Sequence, residues 1–198
     1  MRVFVAGATG VIGRALVPKL RAAGHTVIAM TRSEEGADAL RKTGIEAEVS
    51  DALDERAVLD AIRRARPEAV IHQLTALPRR MNPRKIDREA RETNRLRVDG
   101  TRNLIAGAKA AGARRFIAQS IAFVTRPEGA AVHDETAPIY ADAPEIFRGM
   151  MDAVASLEEQ TVSARGLTGV VLRYGFFYGP GTVYDEHEAI AEGIDRRR

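Results

Sequence analysis

The residues with the plainest chemical purpose lie in one short turn, Gly7-Ala-Thr-Gly10-Val-Ile-Gly13. Each glycine there has a separate job at a phosphate site. Gly7 lets the chain leave a strand in a tight turn, Gly10 leaves room for a diphosphate to reach backbone N–H groups, and Gly13 lets the following helix lie close to the strand. The backbone of Thr9, Val11 and Ile12 then stands at a helix start, where unpaired donors and a partial positive charge favour an anion. A second candidate is Arg32, 19 residues after Gly13. At the tip of a second strand an acid would accept from both ribose hydroxyls of NAD, but no acid occurs there before Glu34. A guanidinium at that place would instead grip the 2′-phosphate of NADP, through a charge-assisted bond worth roughly 1.5–3 kcal/mol. That corresponds to a preference for NADP(H) over NAD(H) of about tenfold to hundredfold. Arg14 is placed to assist, and the plainer alternative for Arg32 is a solvated loop arginine.

These residues need a frame. Val3, Phe4 and Val5 form a short β-favouring run, and a helical pattern follows over 14–23, with a kink expected at Pro18, which lacks a backbone donor. Strand, glycine turn and helix in that order open a βαβ nucleotide-binding unit. Further strands are expected at 26–30, 46–49, 69–73, 114–119 and 169–172, with helices at 34–43, 55–65, 84–111 and 147–165. The fold class this implies is α/β, a doubly wound and mostly parallel sheet of Rossmann type with strand order 3-2-1-4-5-6. A basic loop covers 78–83, a long loop spans 121–144, and a last helical pattern occupies 189–198.

Bulk properties narrow the function. The 198 residues suffice for one α/β domain with a real core, and 45% apolar with 29% charged residues is ordinary for a globular protein. There is no cysteine, so disulfides, thiol nucleophiles and cysteine-based metal sites are ruled out, and no metal site is read. No apolar run reaches membrane-spanning length and no signal-peptide pattern precedes the first strand, which makes the cytoplasm the expected location and a membrane partner unexpected. The net charge of +3 comes with arginines that alternate with acids rather than forming one stripe, so nucleic acid is not an expected partner.

The G-x-x-G-x-x-G spacing, the segment HQLTA at 72–76 and the segment LRYGFFYGPG at 172–181 together resemble the short-chain dehydrogenase/reductase superfamily. The likeness is to its extended and atypical branch, which includes sugar-nucleotide epimerases and dehydratases, and it spreads over residues 1–181. The resemblance implies that Asp51, with Ala52 beside it, contacts the adenine. The residues themselves also allow Asp51 or, better, Asp54 to be the N-cap of helix 55–65. It further implies that Leu74, Thr75 and Ala76 run along the cofactor, that Asn94 orders the active-site region, and that Ser120 hydrogen-bonds substrate. Tyr174 and Phe176 would lie beside the nicotinamide. The helix over 84–111 would serve as a homodimer interface. His72 has no Asp or Cys partner at ligand spacing and reads as a packed core residue rather than a catalytic one.

One expected feature is missing. The helix over 147–165 should carry Tyr-x-x-x-Lys, whose lysine lowers the pKa of the tyrosine acid/base one turn away. Met150 or Met151 falls at the tyrosine position and Val154 or Ala155 at the lysine position, and no lysine follows Lys109. A proton would have to come from Ser120, Tyr174, Tyr178 or water. Residues 1–181 therefore read as an NAD(P)-binding domain, and 182–198 as the start of a truncated C-terminal region with no substrate lobe. The expected function is an NADP(H)-dependent oxidoreductase or epimerase/dehydratase relative. Its small-molecule substrate would be a sugar nucleotide or another carbonyl or hydroxyl compound. The alternative is an inactive NADP(H) sensor or scaffold.

Overall fold

Val3, Phe4, Val5 and Ala6 are all buried, as are Val27, Ile28, Ala29 and Met30 and the whole run from Ala69 to His72. Strands with no polar alternation need cover on both faces, which an all-parallel sheet between helices supplies. The computed structural model describes residues 1–77, 86–126, 128–129, 132–140, 142–179 and 182. Among them, β1 (Arg2–Ala6), β2 (Thr26–Thr31), β3 (Glu46–Val49), β4 (Ala69–His72), β5 (Arg115–Ile121) and β6 (Thr168–Tyr174) form one parallel sheet in the order β3-β2-β1-β4-β5-β6. The order reverses direction between β1 and β4. The carboxyl ends of those two strands therefore flank the crevice in which open α/β sheets take their ligands.

Helices α1 (Val11–Ala22) and α2 (Glu34–Lys42) cover one face, where Leu16, Val17, Leu20 and Leu40 meet Val3, Val5, Val27 and Ala29. On the other face α3 (Glu55–Ala65), α5 (Thr101–Ala110) and α6 (Glu145–Val162) enclose Phe4, Ile28, Met30, Val70 and Phe116. Local chemistry sets the helix starts. Asp54 accepts from the Ala57 N–H at 3.0 Å, as expected of the better N-cap, and Ser33 caps α2 through the Gly36 N–H at 3.1 Å. Helix α6 begins two residues earlier than expected, directly after Pro144, whose fixed backbone suits a helix entry. Helix α1 runs through Pro18.

The expected single helix over 84–111 is instead α4 (Ile86–Arg95), a π-helical turn Leu96–Gly100, and α5. Eight residues of ideal α-helix overshoot two turns by about 80°. The wider turn takes up that excess, so Thr93 and Thr101, both wholly buried, point at the same strand end. The basic loop at 78–83, residues 84–85 of the expected helix, and the patterned stretch at 189–198 lie outside the described residues. Among the described residues no helix is long and apolar enough to cross a membrane.

Candidate functional site

The glycine turn takes up the crevice end of β1. Gly7 has φ +91°, and its carbonyl accepts from the Gly10 N–H at 3.1 Å, closing the turn. A Cβ on Gly7 would come within 2.7 Å of the Gln73 carbonyl, and one on Gly13 within 2.2 Å of the Gly7 carbonyl, so both glycines are forced by backbone contact. Gly10 differs: a Cβ there would meet only the Gly7 carbonyl, at 3.3 Å, and would otherwise stand in the open space above the turn. Thr9, Gly10 and Val11 are exposed, Ile12 is half-buried, and no side chain caps the start of α1. That is the shape and polarity a diphosphate requires: open donors, a helix start, and a hollow that a side chain would fill.

The other strand ends continue the rim. At the tip of β2, Arg32 is exposed and its Nη1 lies 2.7 Å from Oε1 of Glu92 on α4. After β3, Asp51 is exposed and accepts from the Leu53 N–H at 2.9 Å, while buried Ala52 gives its carbonyl to Asn103 Nδ2 at 2.9 Å. Asp51 thus orders its own turn at the rim, and Asp54 alone caps α3. After β4, Leu74 and Ala76 are half-buried and Thr75 is exposed, so this segment borders the crevice. Ala76 donates its N–H to Thr93 Oγ1 at 2.9 Å.

His72 is a structural residue. Its Nδ1 accepts from the Leu74 N–H at 3.1 Å, which leaves the proton on Nε2, 3.1 Å from Thr101 Oγ1. Burial pushes its pKa down to about 4, so the ring is neutral at physiological pH. Beside it, Gln73 is buried, and its Oε1 has no hydrogen-bond partner; Ser50 Oγ, at the end of β3, shares that state. Two orphaned polar atoms at the carboxyl edge are what a polar ligand would satisfy, and with the hollow over Gly10 they show that the rim fits a dinucleotide.

At the far end of the rim the expected residues separate. Ser120 pairs in register with Arg173 and is only 2% exposed. Strand alternation turns it toward α6 with Phe116 and Ala118, and its hydroxyl donates to Glu158 Oε1 at 2.5 Å. Arg173 clasps the same carboxylate with two bonds, at 2.9 and 2.7 Å, and this partner raises its pKa. Ser120 is therefore a strut that ties β5 to α6 and β6. Tyr174 stays half-buried at the strand end with its ring 5.5 Å from that of Phe177. Phe176 leans on Phe123, their centroids 4.4 Å apart. Asn94 faces a groove between α4 and α6, where its Oδ1 accepts from Arg97 Nη1 at 3.3 Å.

Next to these rings lies a cavity of about 710 Å³. Phe123, Tyr140, Phe147, Met150 and Met151 wall it, with Arg126 and His133 among its polar lining. Arg126 is held by Asp142 and lies over the Tyr140 ring, 5.4 Å from its centroid. No local spacing in the sequence links Phe123, Phe147, Glu158 or Glu92 to the site. Thr93 stands beside Asn94 in the helix that the resemblance places below the site, and its four-residue spacing to Arg97 and Thr101 is the signal that ties those three together. Among the described residues no cluster of acids and histidines could hold a metal ion.

A family model described as NAD(P)H-binding matches residues 7–193. The chain belongs to this NAD(P)H-binding family. A 3-diazoavenalumate denitrifying reductase of a Streptomyces species is 51% identical over 185 residues, which are 93% of this chain and 59% of that protein. Sterol demethylase protein B of Methylococcus capsulatus is 29% identical over 182 residues, 91% of this chain and 52% of its own. This chain thus spans between half and three-fifths of the length of these relatives. The crystal structure of UDP-glucose 4-epimerase from Thermus thermophilus with NAD superposes with a TM-score of 0.69 at 28% identity, covering 95% of this chain and 58% of that one. UDP-N-acetylglucosamine 4-epimerase of Bacillus cereus has the same fold, with a TM-score of 0.70 at 19% identity over 98% of this chain and 65% of that one. The NAD(P)H-binding chain is of short-chain dehydrogenase/reductase type, reductase- and epimerase-like, as the three sequence segments implied.

Proposed function

We propose that this NAD(P)H-binding chain takes NADP(H) in preference to NAD(H) and serves the reduction of a small molecule with a flat, apolar body. The observation that carries this reading is the cavity beside Phe123 and Phe176, whose wall presents Met150 and Met151 where the resembled family has its tyrosine acid. Thioethers neither donate nor remove a proton, so that wall shapes and dries the site without acid–base work. When bound, a reduced nicotinamide supplies hydride. The turn from Gly7 through Thr9, Gly10, Val11 and Ile12 to Gly13 binds the diphosphate, Arg32 the 2′-phosphate, and Asp51 with Ala52 the adenine. Leu74, Thr75 and Ala76 border the cofactor, with Asn94 ordering the helix beneath. Tyr174 and Phe176 orient the nicotinamide, and the Tyr174 hydroxyl is the proton source nearest the strand ends. Ser120 acts by holding β5 and β6 in register.

The name of the Streptomyces relative supports a substrate class. Denitrifying reduction of a diazo compound expels a leaving group and leaves no alkoxide for the protein to protonate, which suits a site with no tyrosine–lysine pair. The UDP sugars named for the epimerase structures would present many hydroxyls to a wall of Phe123, Phe147 and methionines. The deciding experiment is calorimetry with NADPH and NADH, followed by two activity assays: NADPH oxidation on adding aromatic diazo and carbonyl compounds, and conversion of UDP-glucose to its C4 epimer by the protein loaded with oxidised nucleotide. NADPH oxidation by an aromatic electrophile with no epimerisation supports the reading, and epimerisation without such oxidation overturns it. The missing lysine after Lys109 favours one second reading, an NADP(H) sensor, for which the same assays give tight binding with neither oxidation nor epimerisation. A homodimer across the α4–α6 groove belongs to the same proposal, and light scattering tests it.

A further inference from the structure

Among the described residues Arg97 is the one arginine or lysine that is buried. It sits in the π-helical turn, 5% exposed, and among the described residues its one hydrogen bond goes to the neutral Asn94 Oδ1 at 3.3 Å. Among the described residues no carboxylate faces it, and burial pulls its pKa down to about 10. A buried guanidinium without an anion is costly, and removing it from such a setting often stabilises a fold. Its place gives that charge a use. Thr93, one turn before, holds the Ala76 N–H; Thr101, one turn after, meets His72 Nε2. Arg97 lies midway between these two anchors along the helix and close enough to His72 for its charge to press that pKa lower. The π turn carries Arg97 and joins the two threonines that meet the 72–76 segment. The orphaned Gln73 Oε1 belongs to the same segment and marks it independently as unfinished without a polar ligand.

We propose that Arg97 is an anion receptor built into the floor of the crevice, taking one oxyanion of whatever ligand lies along residues 72–76. The anion is either the diphosphate of the dinucleotide or a carboxylate on the substrate, and the shared chemistry is a planar donor fork meeting two oxygens. This goes beyond nucleotide binding as such, and its substrate arm rests on the proposed aromatic substrate. Arg97→Met keeps length and removes the charge. The apo melting temperature is expected to hold or rise, whereas a merely structural arginine would lower it on removal. Calorimetry then reads two arms: NADPH on the apo protein, and 4-hydroxybenzoate against 4-hydroxybenzamide on the NADP⁺-loaded protein. A loss of NADPH affinity of about tenfold to hundredfold assigns the diphosphate. Unchanged NADPH affinity with a loss of carboxylate-over-amide preference assigns the substrate. Unchanged affinity in both arms overturns the proposal. Arg97→Lys, which keeps charge but not the fork, should fall between wild type and Arg97→Met, and it carries both arms if the methionine variant does not fold. Gly10→Val is the control: if it too leaves NADPH binding intact, the dinucleotide site has been misplaced and the fault is not in the Arg97 assignment.

Discussion

Replacing Glu92 by Gln tests how the nucleotide is chosen, because Glu92 competes for the group that is to do the choosing. Arg32 Nη1 lies 2.7 Å from Glu92 Oε1, with side chains 60% and 52% exposed. An exposed pair of this kind is worth about 0.2–1 kcal/mol, so a 2′-phosphate must displace a weak partner, and a charge-assisted bond worth roughly 1.5–3 kcal/mol does so with a surplus. Glu92→Gln releases Arg32 and removes a like charge from the phosphate's surroundings. NADPH affinity should rise about 1.5- to 5-fold while NADH affinity stays where it was. Arg32→Asp should weaken NADPH by about tenfold to hundredfold or more and spare NADH. Both effects should shrink as salt passes about 0.1 M, where screening falls within about 10 Å. Calorimetric titration of the three proteins with both nucleotides, at low and high salt, reads all of this. Equal loss of NADPH and NADH in Arg32→Asp, or no gain in Glu92→Gln, would refute the reasoning.

Other outcomes follow from the same geometry. Gly13→Ala drives a Cβ to 2.2 Å from the Gly7 carbonyl, where only backbone could yield, so denaturant unfolding should show a loss of about 1–3 kcal/mol or more. Gly10→Val should keep its melting temperature and lose both nucleotides, and retained binding would place the diphosphate elsewhere. Ser120→Ala should cost about 1–2 kcal/mol of stability through its lost bond to Glu158 and leave nucleotide affinity intact; a folded variant without turnover would instead make Ser120 a proton donor. His72 has a folded pKa of about 4 against 6.5 unfolded. Its neutral state therefore contributes stability that is complete above pH 6.5 and drains away as pH falls toward 4, roughly 3 kcal/mol in all. Urea titrations across that window should flatten in His72→Gln, and an unchanged slope would put the acid sensitivity elsewhere.

The architecture was legible in the chain because its signals are local. The run of Val3, Phe4 and Val5, the glycines at 7, 10 and 13, Asp54 before α3 and the uniformly apolar β4 each specify conformation within a few residues, and with the resemblance to the short-chain dehydrogenase/reductase superfamily they point to one strand order. The crevice end of the sheet follows from that order, so Arg32, Asp51 and the 72–76 segment fall on the rim without any knowledge of packing. The absence of Tyr-x-x-x-Lys was equally plain, since no lysine follows Lys109. What depended on the tertiary structure was the partner of each group. Ser120 stands at the expected strand end, but the pleat turns it under α6, where Glu158, 38 residues further on, accepts its hydroxyl and Arg173 on β6 shares that carboxylate. Arg32 meets Glu92 from 60 residues away, and a solvent-facing acid carries no mark in the sequence of which arginine it will face. The π turn lies between Thr93, which meets Ala76, and Thr101, which meets His72, two contacts that no stretch of the sequence announces. Burial, pairing and cavity shape are sums over distant parts of the chain; backbone conformation at a glycine or a helix cap is not, and that difference in range divides what the residues declare from what only folding decides.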